Sequence, residues 1–235
     1  MAGRITRKEL KTDKFALEVG QTVDFVTEHR QQLILWGSIA AAVIVVGLGV
    51  YLYMRYQHTA REQALGDAVQ MQEAPVTAAS ASGRLSFPTE EAKQAAVTKA
   101  LTDITTRYAG SGEAAVAKYY LGSIAADEGK MTEAEKWFQE AANEGNVNYA
   151  SLARLSLAQV YFAERRDPDA EKILRDLEAH PTVFVSKEQA IIARAKGIAA
   201  TRPAEALKLL EPLRSGGGAV SQVAITEVGE LSGQQ

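Results

Sequence analysis

The sequence predicts an all-α protein with one membrane-crossing helix near the N-terminus, followed by an α-solenoid of about four helical hairpins. Two observations carry this reading. Residues 33–54, LILWGSIAAAVIVVGLGVYLYM, form a run of 22 without a single charge. From residue 89 onward the chain is Ala-rich, with helical periodicity, almost no strand-like alternation and an internal period of 36.

As a helix, the apolar run reaches roughly 33 Å, enough to cross a ~30 Å hydrocarbon core. Trp36 stands at one end and Tyr51, Tyr53 and Tyr56 at the other, where amphipathic rings anchor a span at both interfaces. The competing reading, a buried core helix, conflicts with apolar character around the whole circumference. A cleaved signal would have a shorter run ending in small residues; this one ends in YLYMRYQH. Arg4, Arg7, Lys8, Lys11, Lys14 and Arg30 precede the span, against Arg55 and Arg61 just beyond it. Counted over the whole short tail, this bias predicts a cytoplasmic N-terminus. The rest would then lie outside the cytoplasm, in the periplasm of a two-membrane bacterium, on a single-pass inner-membrane anchor. Counted only near the membrane the two sides tie, which keeps the inverse topology, a cytosolic scaffold, as the competing reading. The absence of cysteine fits an oxidising compartment and many cytosolic proteins alike.

Five segments follow. Residues 1–32 form a basic tail in which Phe15, Val19, Val23 and Val26 make one apolar stripe, as in an interfacial or partner-docked helix. Residues 33–54 are the span. Residues 55–88 begin with helix formers to about 73 and end in the small-residue stretch EAPVTAASASGRLSFP, read as a mobile loop. Residues 89–214 carry the repeat. Residues 215–235 begin with the flexible tether SGGG and continue with AVSQVAITEVGEL, a possible docking helix whose apolar side holds Val220, Val223, Ile225 and Val228. The first 32 residues hold six basic and five acidic side chains, leaving 20 against 24 for the remainder. With no basic stripe to grip phosphates, nucleic-acid binding has no support.

Within the repeat, Ala134, Ala170 and Ala206 are spaced 36 and 36 apart and each heads a helix. Phe138, Leu174 and Leu210 follow four residues on; Ala141, Leu177 and Leu213 follow seven on. Leu121 and Leu157 precede the first two alanines by 13, each followed by a small residue, Gly122 and Ala158. Val97, Leu101, Ile104 and Tyr108 form an earlier partial copy, paired with 55–73. Small residues let paired helices approach closely, and stacking must bury what no single hairpin can. Segment 119–142, with the turn residue Gly129, resembles the tetratricopeptide repeat. The copies at 154–181 and 187–214 resemble it less closely. In the first of these Arg165 and Arg166 replace the turn glycine, so its turn is expected to differ. In the second Gly197 occupies the usual aromatic position.

The resemblance implies a concave groove lined by Tyr119, Ser123, Leu155, Gln159, Phe162, Ile191, Ala195 and Ile198. These are mostly apolar and lack the Lys and Asn with which some members clamp a chain terminus. An extended hydrophobic segment or an amphipathic helix is the implied ligand. The same residues also read as inward packing, or as a surface covered by the chain's own residues 219–231. No chemistry emerges. His29, His58 and His180 are scattered, and no thiol, nucleophile elbow or phosphate loop is present. Neither a cofactor, a metal nor a small-molecule substrate is expected, and the chain is not expected to be an enzyme. The layout as a whole resembles the YfgM-type family of bacterial inner-membrane proteins. That resemblance implies a non-enzymatic accessory of the Sec translocon, with translocon subunits, periplasmic chaperones or nascent chains as partners. The alternative is an adaptor for another envelope complex, in secretion, division or outer-membrane assembly.

Overall fold

A helix that is apolar on every side cannot hide that surface in water, and the first helix of the chain begins in this way. The computed structural model describes residues 30–77, 85–215 and 217–233, and among them it contains nine α-helices, one 3-10 turn and no strand. The amphipathic stripe expected at Phe15, Val19, Val23 and Val26 lies outside the described residues. Helix α1 (Arg30–Glu73) is 44 residues long. The chain divides into two units after Thr59. In the first unit the apolar side chains from Ile34 to Tyr56 are exposed all round the helix. This helix is long and apolar enough to cross a membrane.

The second unit, from Ala60, holds the remainder of α1 and eight further helices among the described residues. These are α2 (Glu90–Arg107), α3 (Gly112–Asp127), α4 (Met131–Glu144), α5 (Val147–Ala163), α6 (Asp167–Ala179), α7 (Lys187–Ile198), α8 (Pro203–Leu210) and α9 (Gly218–Gly233). From α2 onward each helix packs on the next, and α3 also touches α5, α5 touches α7, and α7 touches α9. First helices of successive hairpins therefore form one layer and second helices another. The all-helical hairpin stack predicted from the sequence is the one observed. Between α1 and α2, in the stretch read as a loop, Val76 and Phe87 form a parallel bridge: the Thr77 N–H donates to the Phe87 carbonyl at 2.9 Å.

The two layers start differently. Thr89, Ser111, Asn146 and Ser186 cap α2, α3, α5 and α7 with side-chain oxygens that accept from the first-turn amides, and Ser186 with Gln189 completes a capping box. Helices α4, α6 and α8 lack such caps and are preceded by Lys130, Arg166 and Arg202. The α3–α4 turn places Gly129 at φ 75°, and 36 residues later Arg165 takes φ 62°. The turn hydrogen bonds are the same: Lys130 N–H to Ala125 O and Arg166 N–H to Tyr161 O, both 2.8 Å. Replacement of the glycine was expected to change this turn. It does not, and Arg165 instead holds a left-handed backbone that disfavours a side chain.

Close helix approach explains the core. Ala117, Ala134, Ala153, Ala158, Ala170, Ala190 and Ala206 are fully buried, with Phe138, Leu174 and Leu210 filling the spaces between them. A Cβ on Gly122 would stand 2.8 Å from the Phe138 ring. Each large apolar side chain so buried contributes about 1.5–3 kcal/mol.

Charges repeat with the same period. Arg166 donates through Nη1 to both oxygens of Glu135 at 3.0 Å, and Arg202 donates to Glu171, each pair 31 residues apart. Lys118 pairs with Glu140 at 2.9 Å, and 36 residues on Arg154 pairs with Asp176. Glu171 is nearly buried and also accepts from Arg175 at 2.7 Å. Burial works to raise its pKa, but the bonds and charges of Arg202 and Arg175 outweigh this and hold the carboxyl below its usual range.

Two outcomes are expected. Arg165→Gly, by removing the left-handed strain against a smaller entropic cost, should raise Tm by about 1–3 °C, measured by circular dichroism on the full chain. A depressed carboxylate stabilises the fold at pH values above the unfolded pKa and loses that contribution as the pH falls through the folded one. Wild type should therefore melt above Glu171→Gln at pH 7, with the gap closing as the pH falls below about 4.5. A gap that stays constant to pH 3 would show that the ion pair contributes nothing.

Candidate partner-binding face

The layer of first helices presents one continuous side of the stack, built from residues one turn apart on α3, α5 and α7. Ser123, Ala126 and Asp127 of α3 face Ser156, Gln159 and Ala163 of α5 across a cleft of about 210 Å³, floored by Met131 and Phe138. A second cleft of about 350 Å³ lies between α5, α7 and α9. Leu155, Ile192, Ala193, Val220 and Val223 make it apolar, while Gln159, Gln189 and Lys196 supply polar atoms. Gln159 lines both clefts and is exposed. Lys196 pairs with Glu227 of α9, tying that helix to α7.

Of the eight residues expected to line a groove, Ser123, Leu155 and Gln159 lie on these clefts. Tyr119 is half-buried, its ring 5.8 Å from that of Phe138. Phe162 packs over Gly197, where a Cβ would stand 2.1 Å from its ring. Ala195 and Ile198 are fully buried beside Ala206 and Leu210, so they line no open surface. Ile191 is half-buried and absent from both cleft linings.

The correction has one cause. Gly122 to Ala158 is 36 residues but Ala158 to Ala195 is 37, while Ala170 to Ala206 remains 36. Measured between these buried small residues, the path from Ala170 into α7 is one residue longer than that from Ala134 into α5, and the path from Ala195 into α8 is one shorter than that from Ala158 into α6. That single step turns α7 by about 100° relative to a strict 36-residue alignment, so Ile192 and Lys196 face the cleft where Ile191 and Ala195 were expected. The segment PTVFVS at 181–186 held the only hint, as a connection longer than its counterparts.

No catalytic arrangement accompanies the clefts. Among the described residues no group of three or more His, Asp or Glu is placed to hold a metal. His180 contacts Asp176 at 3.2 Å, and Arg154 holds the Asp176 carboxyl below its usual range.

A family model described as a tetratricopeptide repeat-like domain matches residues 28–190. The chain belongs to that family. No curated protein and no solved structure matches it. The matched region includes the apolar helix as well as the hairpins through α6, and most of α7, with α8 and α9, lies beyond it. A tetratricopeptide repeat-like stack is a module for protein–protein contact, and no catalytic family is indicated.

Phe162 and Gly197 generate a prediction. Replacing a helical glycine by alanine normally gains about 0.5–1 kcal/mol. At Gly197 the clash with Phe162 reverses the sign, and overpacking of about 1–3 kcal/mol should lower Tm by several degrees. In a Phe162→Ala background the same Gly197→Ala change should be neutral or stabilising, read by paired thermal melts.

Proposed function

We propose that the chain is a membrane-anchored, non-enzymatic interaction module whose concave face receives an apolar segment of another protein. One observation carries this: an open apolar cleft, lined by Leu155, Ile192, Ala193, Val220 and Val223, on the side where stacked first helices converge. Its lining is mainly apolar, which suits a hydrophobic strand or an amphipathic helix rather than a charged peptide. The apolar half of α1 supports a single membrane span. The excess of Lys and Arg before it favours a cytoplasmic N-terminus and a periplasmic repeat domain.

In this arrangement the anchor keeps the repeat at the membrane surface, near a channel exit. The layout resembles that of YfgM-type accessories of the Sec translocon, and the partners proposed are translocon subunits, periplasmic chaperones or emerging chains. An adaptor for another envelope complex is the alternative that the partners themselves would reveal.

Photo-crosslinking residues placed at Leu155 and Ile192 in living cells, with exposed Lys172 of α6 as the reference, test the reading. Translocon subunits, chaperones or nascent chains captured from the cleft positions and not from Lys172 are expected. Subunits of a different envelope machine would replace the translocon role by the adaptor role. Capture of cytoplasmic proteins would overturn the topology, and no adduct at either cleft position would overturn the concave face as a binding surface.

A further inference from the structure

The repeat itself shows what covers the first helix of each hairpin. Gly122, Ala158, Ala195 and Gly229 occupy equivalent positions on α3, α5, α7 and α9, at spacings of 36, 37 and 34. The first three are buried. Phe138 lies against Gly122, Leu174 shares a core cluster with Ala158, and Leu210 shares one with Ala195. Four residues before each stand Lys118, Arg154, Ile191 and Ile225. Lys118 and Arg154 are spanned by acids of the second helix, Glu140 and Asp176.

On α9 the same face is open. Ile225 is 50% exposed, and apart from the helix's own neighbouring backbone no atom lies within 4 Å of where a Cβ on Gly229 would stand. Among the described residues no second helix rests on it. The adjacent stripe of α9 is seated: Ser221 and Ala224 are buried, Val228 packs on the Ala206–Leu210 cluster, and Ser221 donates to the Arg214 carbonyl at 2.5 Å. Helix α9 thus sits in register as the first helix of a further hairpin.

We infer that α9 is a receptor for the second helix of that hairpin, supplied by a partner protein. Its chemistry follows from the three internal precedents: a small residue, Phe or Leu four positions on, and a small or aliphatic residue near the following turn, as in Ala134–Phe138–Ala141 and Ala170–Leu174–Leu177. Among the described residues a second copy of this chain offers no free helix of this pattern, because Phe138, Leu174 and Leu210 are already buried in their own hairpins. The inference rests on the interaction-module reading but uses a face distinct from the concave clefts.

The probe is a stapled, fluorescein-labelled peptide of residues 131–144, titrated by anisotropy into the full chain in detergent micelles; the staple is needed because a helix of 14 residues is marginal in water. Saturable binding is expected. Phe138→Ala in the peptide and Gly229→Leu in the protein should each weaken it at least about tenfold, while Ile192→Arg on the concave side leaves it unchanged. Absence of saturable binding, or wild-type affinity in Gly229→Leu, overturns the inference. Loss in Ile192→Arg instead puts the peptide in the concave cleft, which sinks the α9 receptor and leaves the proposed function standing. Persistence of Leu155 crosslinking in Gly229→Leu keeps the two faces separable.

Discussion

The stack depends on how closely its paired helices approach. Gly122, Ala158 and Ala195 on the first helices, and Ala134, Ala170 and Ala206 on the second, leave room for one large side chain per hairpin, Phe138, Leu174 or Leu210. A methyl group added at Gly122 would meet the Phe138 ring at 2.8 Å. Packing at interior density leaves no slack to absorb this. Every other feature is placed by that spacing: the layer of first helices, the clefts between its members and the distance over which the outer charges reach. Phe162 over Gly197 is the same device turned sideways, joining consecutive first helices instead of the two members of a hairpin.

Ion pairs set a second, weaker period on top of the steric one. Glu135 with Arg166 and Glu171 with Arg202 connect one second helix to the residue that begins the next. In these places the side-chain N-caps of the first helices are replaced by a cation whose acid lies in the previous hairpin. The pairs end where the residue after the buried small side chain changes: Thr98 follows Val97 at one end and Leu207 follows Ala206 at the other. Arg166 and Arg202 are half-exposed while Glu171 is nearly buried, so each pair ties consecutive hairpins together at a carboxylate that burial alone would disfavour.

Much of this was legible in the sequence because burial leaves a periodic trace. The second helices keep their 36-residue spacing, so Ala134, Ala170 and Ala206 marked them correctly, and an uncharged run of 22 residues marked the apolar helix. The groove was harder to read. A side chain on a helix changes direction by about 100° per residue, so the one-residue step in spacing between Ala158 and Ala195 placed Ala195 and Ile198 in the core and Ile192 and Lys196 on the cleft. No residue type announces such a shift. The turn at Arg165 was illegible for the opposite reason: the tertiary fit imposed on it the backbone of Gly129 against the local preference of arginine.

The separation of charge from apolar surface bears on the proposed binding role. On the second-helix side, Arg166 is held by Glu135, Glu164 and Asp169 and stacks on the Tyr161 ring at 3.9 Å, while Arg202 is held by Glu171 and Glu205. An acidic partner bound there would have to displace intramolecular carboxylates already in bonding geometry, at a net gain near zero. On the first-helix side the cleft residues Leu155, Ile192, Ala193, Val220 and Val223 have no such commitments, and water against them is readily displaced. The same logic holds at α9, where Ile225 and Gly229 stand uncovered while Lys196 is already engaged by Glu227. On the proposed reading, selectivity would come from shape, from how a side chain of Phe or Leu size meets a small residue, because the charges that link the hairpins are already paired within the chain.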